Sequence, residues 1–144
     1  MQTKAARFLV LTLLALPALL NAQVRKTVKV DVPFEFIVNR QLMPAGPCTI
    51  VVGGDGIPNL LISSGTRNVL VVPHFSQPAK LFTQSVLVFH RYENHYFLSS
   101  IRRQGEDRGY ELPSSRQERE LQARALSPED VELVAEVRPG STEF

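Results

Sequence analysis

From Val28 to Val38 every even place is apolar, held by Val28, Val30, Val32, Phe34, Phe36 and Val38, and the odd places begin with Lys29, Asp31, Pro33 and Glu35. Side chains of a strand point to opposite faces in turn, so a period of two over this length predicts a half-buried β-strand with one wet face. Pro33 has no N–H to give to a ladder, which predicts either an edge position or a break at that point. Shorter runs follow over residues 49–52, 60–63, 68–72, 81–92 and 96–102, each entered through a turn segment such as "MPAGP", "GGDGIP" or "SGTR". Gly, Pro, Asn and Asp supply the backbone conformations that tight reversals need. "NVLVV" is apolar on both faces, which predicts a central strand or one covered on both sides. With no helical segment between the runs, the expected class is mainly β: one antiparallel sandwich or barrel-like domain of about seven or eight strands.

The pattern changes after Ile101. "RRQGEDRGYELP" reads as a polar loop, and "SSRQERELQARAL" is the one convincing helix, over residues 115–126. Ser115 followed by Glu118 is the capping-box spacing, and Arg116/Glu120 and Glu120/Arg124 are placed to pair along one face. The apolar stripe is narrow, chiefly Leu121, Ala125 and Leu126, and a helix this short is marginal alone. It is expected to lie lightly on the sheet or to await a partner. Val131, Leu133, Ala135 and Val137 then alternate with charged residues, which predicts a last strand. The expected organisation is a targeting segment over 1–22, a main β-domain over 23–102, and a loop, charged helix and final strand of the same domain over 103–144.

The targeting segment is read from three features. Lys4 and Arg7 stand without acids, residues 8–20 are almost wholly apolar, and the small Ala22 precedes Gln23. This is the pattern of a secretory signal peptide, and the 13-residue apolar run falls short of the about 20 residues a membrane span needs. The expected destination is therefore secreted or periplasmic, with no stable membrane span after cleavage. The chain has 16 Lys and Arg against 14 Asp and Glu, and removing Lys4 and Arg7 leaves 14 of each. Balanced charge provides no concentrated basic face for phosphates, so nucleic acid is not an expected partner. Cys48 is the single cysteine and cannot form an internal disulfide. At the head of "CTIVV" it reads as a small buried hydrophobe.

Chemistry concentrates in "LVFHRYENHYFLSS", residues 87–100. His90 and His95 share a sheet face only if the turn is a two-residue Glu93-Asn94 reversal, which asks Glu93 for left-handed backbone. A three-residue loop with Asn94 left-handed is the expected form, and it sends the two histidines to opposite faces. His74, His90 and His95 are then weak metal candidates, since zinc needs three or four donors converging at about 2 Å. The serines at 63, 64, 99, 100, 114 and 115 lie in no Gly-x-Ser-x-Gly elbow, and sequence places no histidine and acid beside any of them. "GGDG" is too short for a phosphate loop and reads as a hairpin turn. Glu106 and Asp107 read as a solvated pair in an open loop. No catalytic residue and no cofactor is expected.

The signal segment, "VPFEFIVNRQLMPAGPCTI", "LVFHRYENHYFLSSI" and "YELPSSRQEREL" together resemble a family of small exported β-rich bacterial proteins of acidobacterial type. That resemblance covers most of the chain after residue 22, and the hairpin and "ELPSSRQERE" are its most specific parts. The chain departs from it at Pro47 and Cys48, where the family tends to carry Glu and Tyr, and at Glu93, where it tends to carry Gly. The resemblance implies a shape and a compartment and brings no catalytic residues. The expected function is a non-catalytic interaction or structural module of the cell envelope, with a protein or envelope component as partner. The alternatives are a binder of a small or apolar ligand inside a barrel and a hydrolase or metalloenzyme, the last requiring His74, His90 and His95, or a serine, to converge.

Overall fold

The computed structural model describes residues 26–54, 56–124 and 126–139; the expected signal segment, residues 1–22, lies outside them. Eleven strands and one helix form among the described residues: β1 (Lys26–Val32), β2 (Phe36–Val38), β3 (Gln41–Met43), β4 (Gly46–Gly53), β5 (Asn59–Ser64), β6 (Arg67–Val71), β7 (His74–Phe75), β8 (Ser85–Tyr92), β9 (His95–Arg102), β10 (Tyr110–Glu111), α1 (Arg116–Ala123) and β11 (Glu129–Pro139). The mainly β class and the single short helix are as expected. The strand count is higher than seven or eight, and the sheet is mixed.

Both differences begin at Pro33. Val28, Val30 and Val32 face inward as the alternation requires, and Lys29 and Asp31 face water. The ladder then stops, and the even residues Phe36 and Val38 resume the inward face in a separate strand. The strand order is β3-β2-β9-β8-β11-β1-β4-β5-β6, so three strands lie between β1 and β2, and β2 meets β9 in parallel at Ile37↔Phe97. One continuous strand from 28 to 38 is thus corrected to two. A proline that cannot donate is what allows the corner. Phe34 plugs it, with its ring 3.8 Å from and nearly parallel to that of Tyr96 and edge-on to Phe89 at 5.1 Å.

The path curls into a nearly closed barrel whose ends, β3 and β6, are joined by side chains. Arg67 Nη1 donates to the Leu42 carbonyl at 2.8 Å, and Ser64 Oγ donates to the Pro44 carbonyl at 2.8 Å. "NVLVV" therefore sits at the end of the path and not at its centre. Val69 and Val71 face the core, while Leu70 (63% exposed) and Val72 (56%) face water. Apolar composition on both faces signalled burial there, but a terminal strand has a neighbour on one side only. The interior is filled by Val28, Phe36, Met43, Ile50, Leu60, Ile62, Leu87, Phe89 and Ile101, all fully buried. Each such side chain contributes on the order of 1.5–3 kcal/mol. Cys48 lies among them, and burial pushes its thiol from the ordinary 9.0 up to about 12.

The polar loop after Ile101 is pinned and not open. Backbone bonds run from Ala79 N to Asp107 O, Phe82 N to Glu106 O and Gly105 N to Phe82 O, all 2.8–2.9 Å. Glu106 is not simply solvated: it pairs at 3.2 Å with Arg103, which is itself buried at 6% exposure. In "GGDG", Gly54 has φ 97°, and a Cβ there would collide with the Ile57 carbonyl oxygen, so this stretch is a turn that requires glycine. No helix among the described residues is long and apolar enough to cross a membrane.

Candidate functional site

The hairpin β8–β9 carries His90, Tyr92, His95 and Ser99. Its register is Tyr92↔His95, Arg91↔Tyr96 and His90↔Phe97, so the turn has two residues, Glu93 and Asn94. This corrects the expected three-residue loop. Glu93 alone takes positive φ, at 54°. That is the pattern of a type II′ turn, which needs left-handed backbone only at its first central residue and so makes no such demand of Asn94. Arg91 Nε donates to the Glu93 carbonyl at 2.8 Å, and Tyr92 meets Phe97 edge-on at 5.7 Å, so cross-strand packing outweighs the local strain of about 1–2 kcal/mol. As a consequence His90, Tyr92, His95 and Phe97 share the outer face of the barrel.

A bulge supplies the next group. The ladder passes from Phe89↔Leu98 to Val88↔Ser100, leaving Ser99 as the extra residue. Leu98 and Ile101 both stay in the core while Ser99 and Ser100 both turn outward, which strict alternation could not achieve. Ser99 Oγ then reaches His90 Nε2 at 3.0 Å, and Leu112 N holds the Ser99 carbonyl at 2.8 Å.

Helix α1 closes over this face and brings in the acid. Ser115 caps the helix by accepting from Glu118 N at 3.2 Å. The carboxylate of Glu118, however, turns down onto the hairpin, where Oε1 accepts from His90 Nδ1 at 2.7 Å and from the Tyr92 hydroxyl at 3.3 Å. Gln122 Nε2 donates to the same hydroxyl at 2.9 Å. Glu118 is 4% exposed and is the buried residue of the helix, whereas Leu121 and Leu126 are only half-buried. The helix is docked by polar groups, not by the apolar stripe. The expected Arg116–Glu120 pair forms at 3.1 Å between exposed side chains.

A carboxylate only accepts, so Nδ1 of His90 donates to Glu118, and in the neutral ring Nε2 accepts from the Ser99 hydroxyl. Burial first, and the Glu118 charge after it, push the Tyr92 hydroxyl above its ordinary 10.0, against an opposing hydrogen bond from Gln122. Tyr92 is thus a neutral donor. Asp130 Oδ1 lies 3.6 Å from Nε2, beyond hydrogen-bond reach, and adds negative potential where the site opens to solvent. The arrangement Ser99–His90–Glu118 is the hydroxyl–imidazole–acid order by which a serine is made nucleophilic.

A cleft of about 410 Å³ lies at the rim beside this face. It is lined by Glu35, which precedes β2, by Ile37 and Leu42, by Arg40 of the β2–β3 turn, by Asn94, His95 and Tyr96 of the β8–β9 hairpin and by Gln117 of α1. Asn39 and Arg40 both take positive φ, 44° and 75°, as the central pair of the Val38↔Gln41 reversal. Among the described residues the Arg40 guanidinium has no hydrogen-bond or ion-pair partner.

The three histidines do not meet. His90 is engaged by Ser99 and Glu118, His95 is exposed at the rim cleft, and His74 is exposed on β7. Among the described residues no group of three or more His, Cys, Asp or Glu side chains is placed to hold a metal ion. Sequence reasoning passed over Ser99 and Glu118. The doubled serine in an otherwise alternating strand was the one signal of a bulge, and the capping-box glutamate gave no sign that it would leave its cap for the hairpin. Comparison of the chain with protein-family models, curated proteins and solved structures finds no match.

Proposed function

We propose that this chain is an exported β-barrel module of the cell envelope that works by recognising an envelope component at its rim. The observation that carries the reading is Arg40. Its left-handed backbone costs about 1–2 kcal/mol that glycine would not incur, and the side chain so displayed is a cation with no partner among the described residues, lining a 410 Å³ cleft with Glu35, His95, Asn94 and Gln117. Strain kept where a glycine would relieve it is found at binding sites more than elsewhere. With the Glu35 carboxylate lining the same cleft as Arg40, the lining suits a ligand that carries both an anionic and a cationic group, such as the peptide portion of a wall polymer. A ligand held inside the barrel has less support, because the axis is filled by Phe36, Met43, Phe89 and Ile101. Export itself is an expectation from the sequence and belongs to the proposal.

The test is co-sedimentation of the chain starting at Gln23 with washed envelope fragments, beside Arg40→Gly. The expected result is salt-sensitive sedimentation that Arg40→Gly loses while melting at the same or a higher temperature. Equal sedimentation of both proteins, or none of the parent, overturns the reading.

A further inference from the structure

The rim cleft does not use the contact between Ser99 and His90, and this contact points to a second activity. We propose that Ser99 is an acyl-accepting nucleophile, activated by His90 and positioned through Glu118, acting on small uncharged or cationic carboxylic esters.

Four observations carry it. Ser99 Oγ lies 3.0 Å from His90 Nε2, and His90 Nδ1 lies 2.7 Å from Glu118 Oε1, so the three groups are in series in the order that activation requires. Glu118 is 4% exposed and His90 28% exposed in its side chain, so the acid is shielded, the imidazole reaches solvent and Ser99 is half-buried. Register places Ser99 on the face of His90, two residues on from its partner Phe97, and the bulge that follows returns Ile101 to the core without turning Ser99 inward. Lastly, helix α1 is tied to the hairpin through the acid of the series, which fixes the imidazole ring from behind.

In the reaction Ser99 Oγ attacks the ester carbonyl carbon and forms the new C–O bond, while its proton passes to His90 Nε2. The resulting imidazolium is stabilised by the Glu118 carboxylate at Nδ1. The bond to the leaving alcohol breaks, and the alcohol departs with the proton from Nε2. Water, deprotonated by the same nitrogen, then releases the carboxylic acid and restores the serine. The balance is ester plus water to acid plus alcohol. Asp130, 3.6 Å from Nε2, repels anionic substrates and sets the class to neutral or cationic esters.

The experiment uses the folded protein with a fluorophosphonate probe and with p-nitrophenyl acetate. The expected results are a probe adduct mapped to Ser99, an at least tenfold loss of labelling and of ester hydrolysis in Ser99→Ala, and no loss in Ser100→Ala. Glu118→Gln, a change at the positioning residue, is expected to lower kcat at least tenfold without raising KM, a split that looser docking of the helix would not produce. Circular dichroism of each variant establishes that it is folded. A parent protein that takes up no more probe than Ser99→Ala, or labelling that maps elsewhere, overturns the proposal and leaves His90 as a tether between helix and hairpin. Neither outcome bears on the Arg40 cleft.

Discussion

Truncating Glu118 to alanine measures what holds α1 to the barrel. The carboxylate, 4% exposed, makes a 2.7 Å hydrogen bond to His90 and a 3.3 Å bond to Tyr92. A hydrogen bond with a charged partner is worth about 1.5–3 kcal/mol, and orphaning the donor of the buried Tyr92 hydroxyl costs about 1 kcal/mol more, the low end because that bond is long. The expected destabilisation is about 3 kcal/mol. The surface pair Arg116–Glu120, 77% and 57% exposed, is worth about 0.3–0.5 kcal/mol by contrast, so Arg116→Ala serves as the control. Urea unfolding at constant m reads both changes, and amide exchange over 116–123 reads the helix separately. In Glu118→Ala those amides are expected to lose protection while β8 keeps its own. A loss under 1 kcal/mol with the helix still protected would refute docking through Glu118. The alternative, docking through the apolar stripe, requires Leu121→Ala to be the costlier change.

Three further outcomes follow from the packing. Phe89→Ala should cost about 3–5 kcal/mol, because the ring is fully buried and meets Phe34 and Phe36 edge-on, whereas His95→Ala, exposed at the turn, should stay within about 0.5 kcal/mol; thermal melts of the two compare them directly. Glu93→Gly should stabilise by roughly 0.5–1 kcal/mol, since about 1–2 kcal/mol of left-handed strain is relieved and part is returned as unfolded-state entropy; a less stable variant would show that the Glu93 side chain does something the turn needs. The Cys48 thiol, raised to about 12 by burial, contributes stability that is fully present below pH 9 and is lost as pH rises from 9 toward 12. Thiol reagents should accordingly label the native protein far more slowly than the urea-unfolded chain, and Cys48→Ala should show a shallower alkaline fall in stability than the parent.

The residues by themselves determined the mainly β class, the inward set Val28, Val30, Val32, Phe36 and Val38, the capped helix at Ser115, the last strand and the burial of Cys48. Each rests on a local rule, a period of two or a cap three residues from its partner, that acts within a few residues of chain. Tertiary structure decided the rest. The corner at Pro33 leaves three strands between β1 and β2, and nothing local states which strand receives β2. The hairpin register was settled against the local preference of Glu93 by cross-strand contacts. Ser99 and Glu118 lie 9 and 28 residues along the chain from His90, and the three meet only because the hairpin register sets two of them on one face and a docked helix delivers the third. A site assembled from a strand, its neighbour and a distant helix has no spacing to read, because its geometry is a property of packing and not of sequence separation.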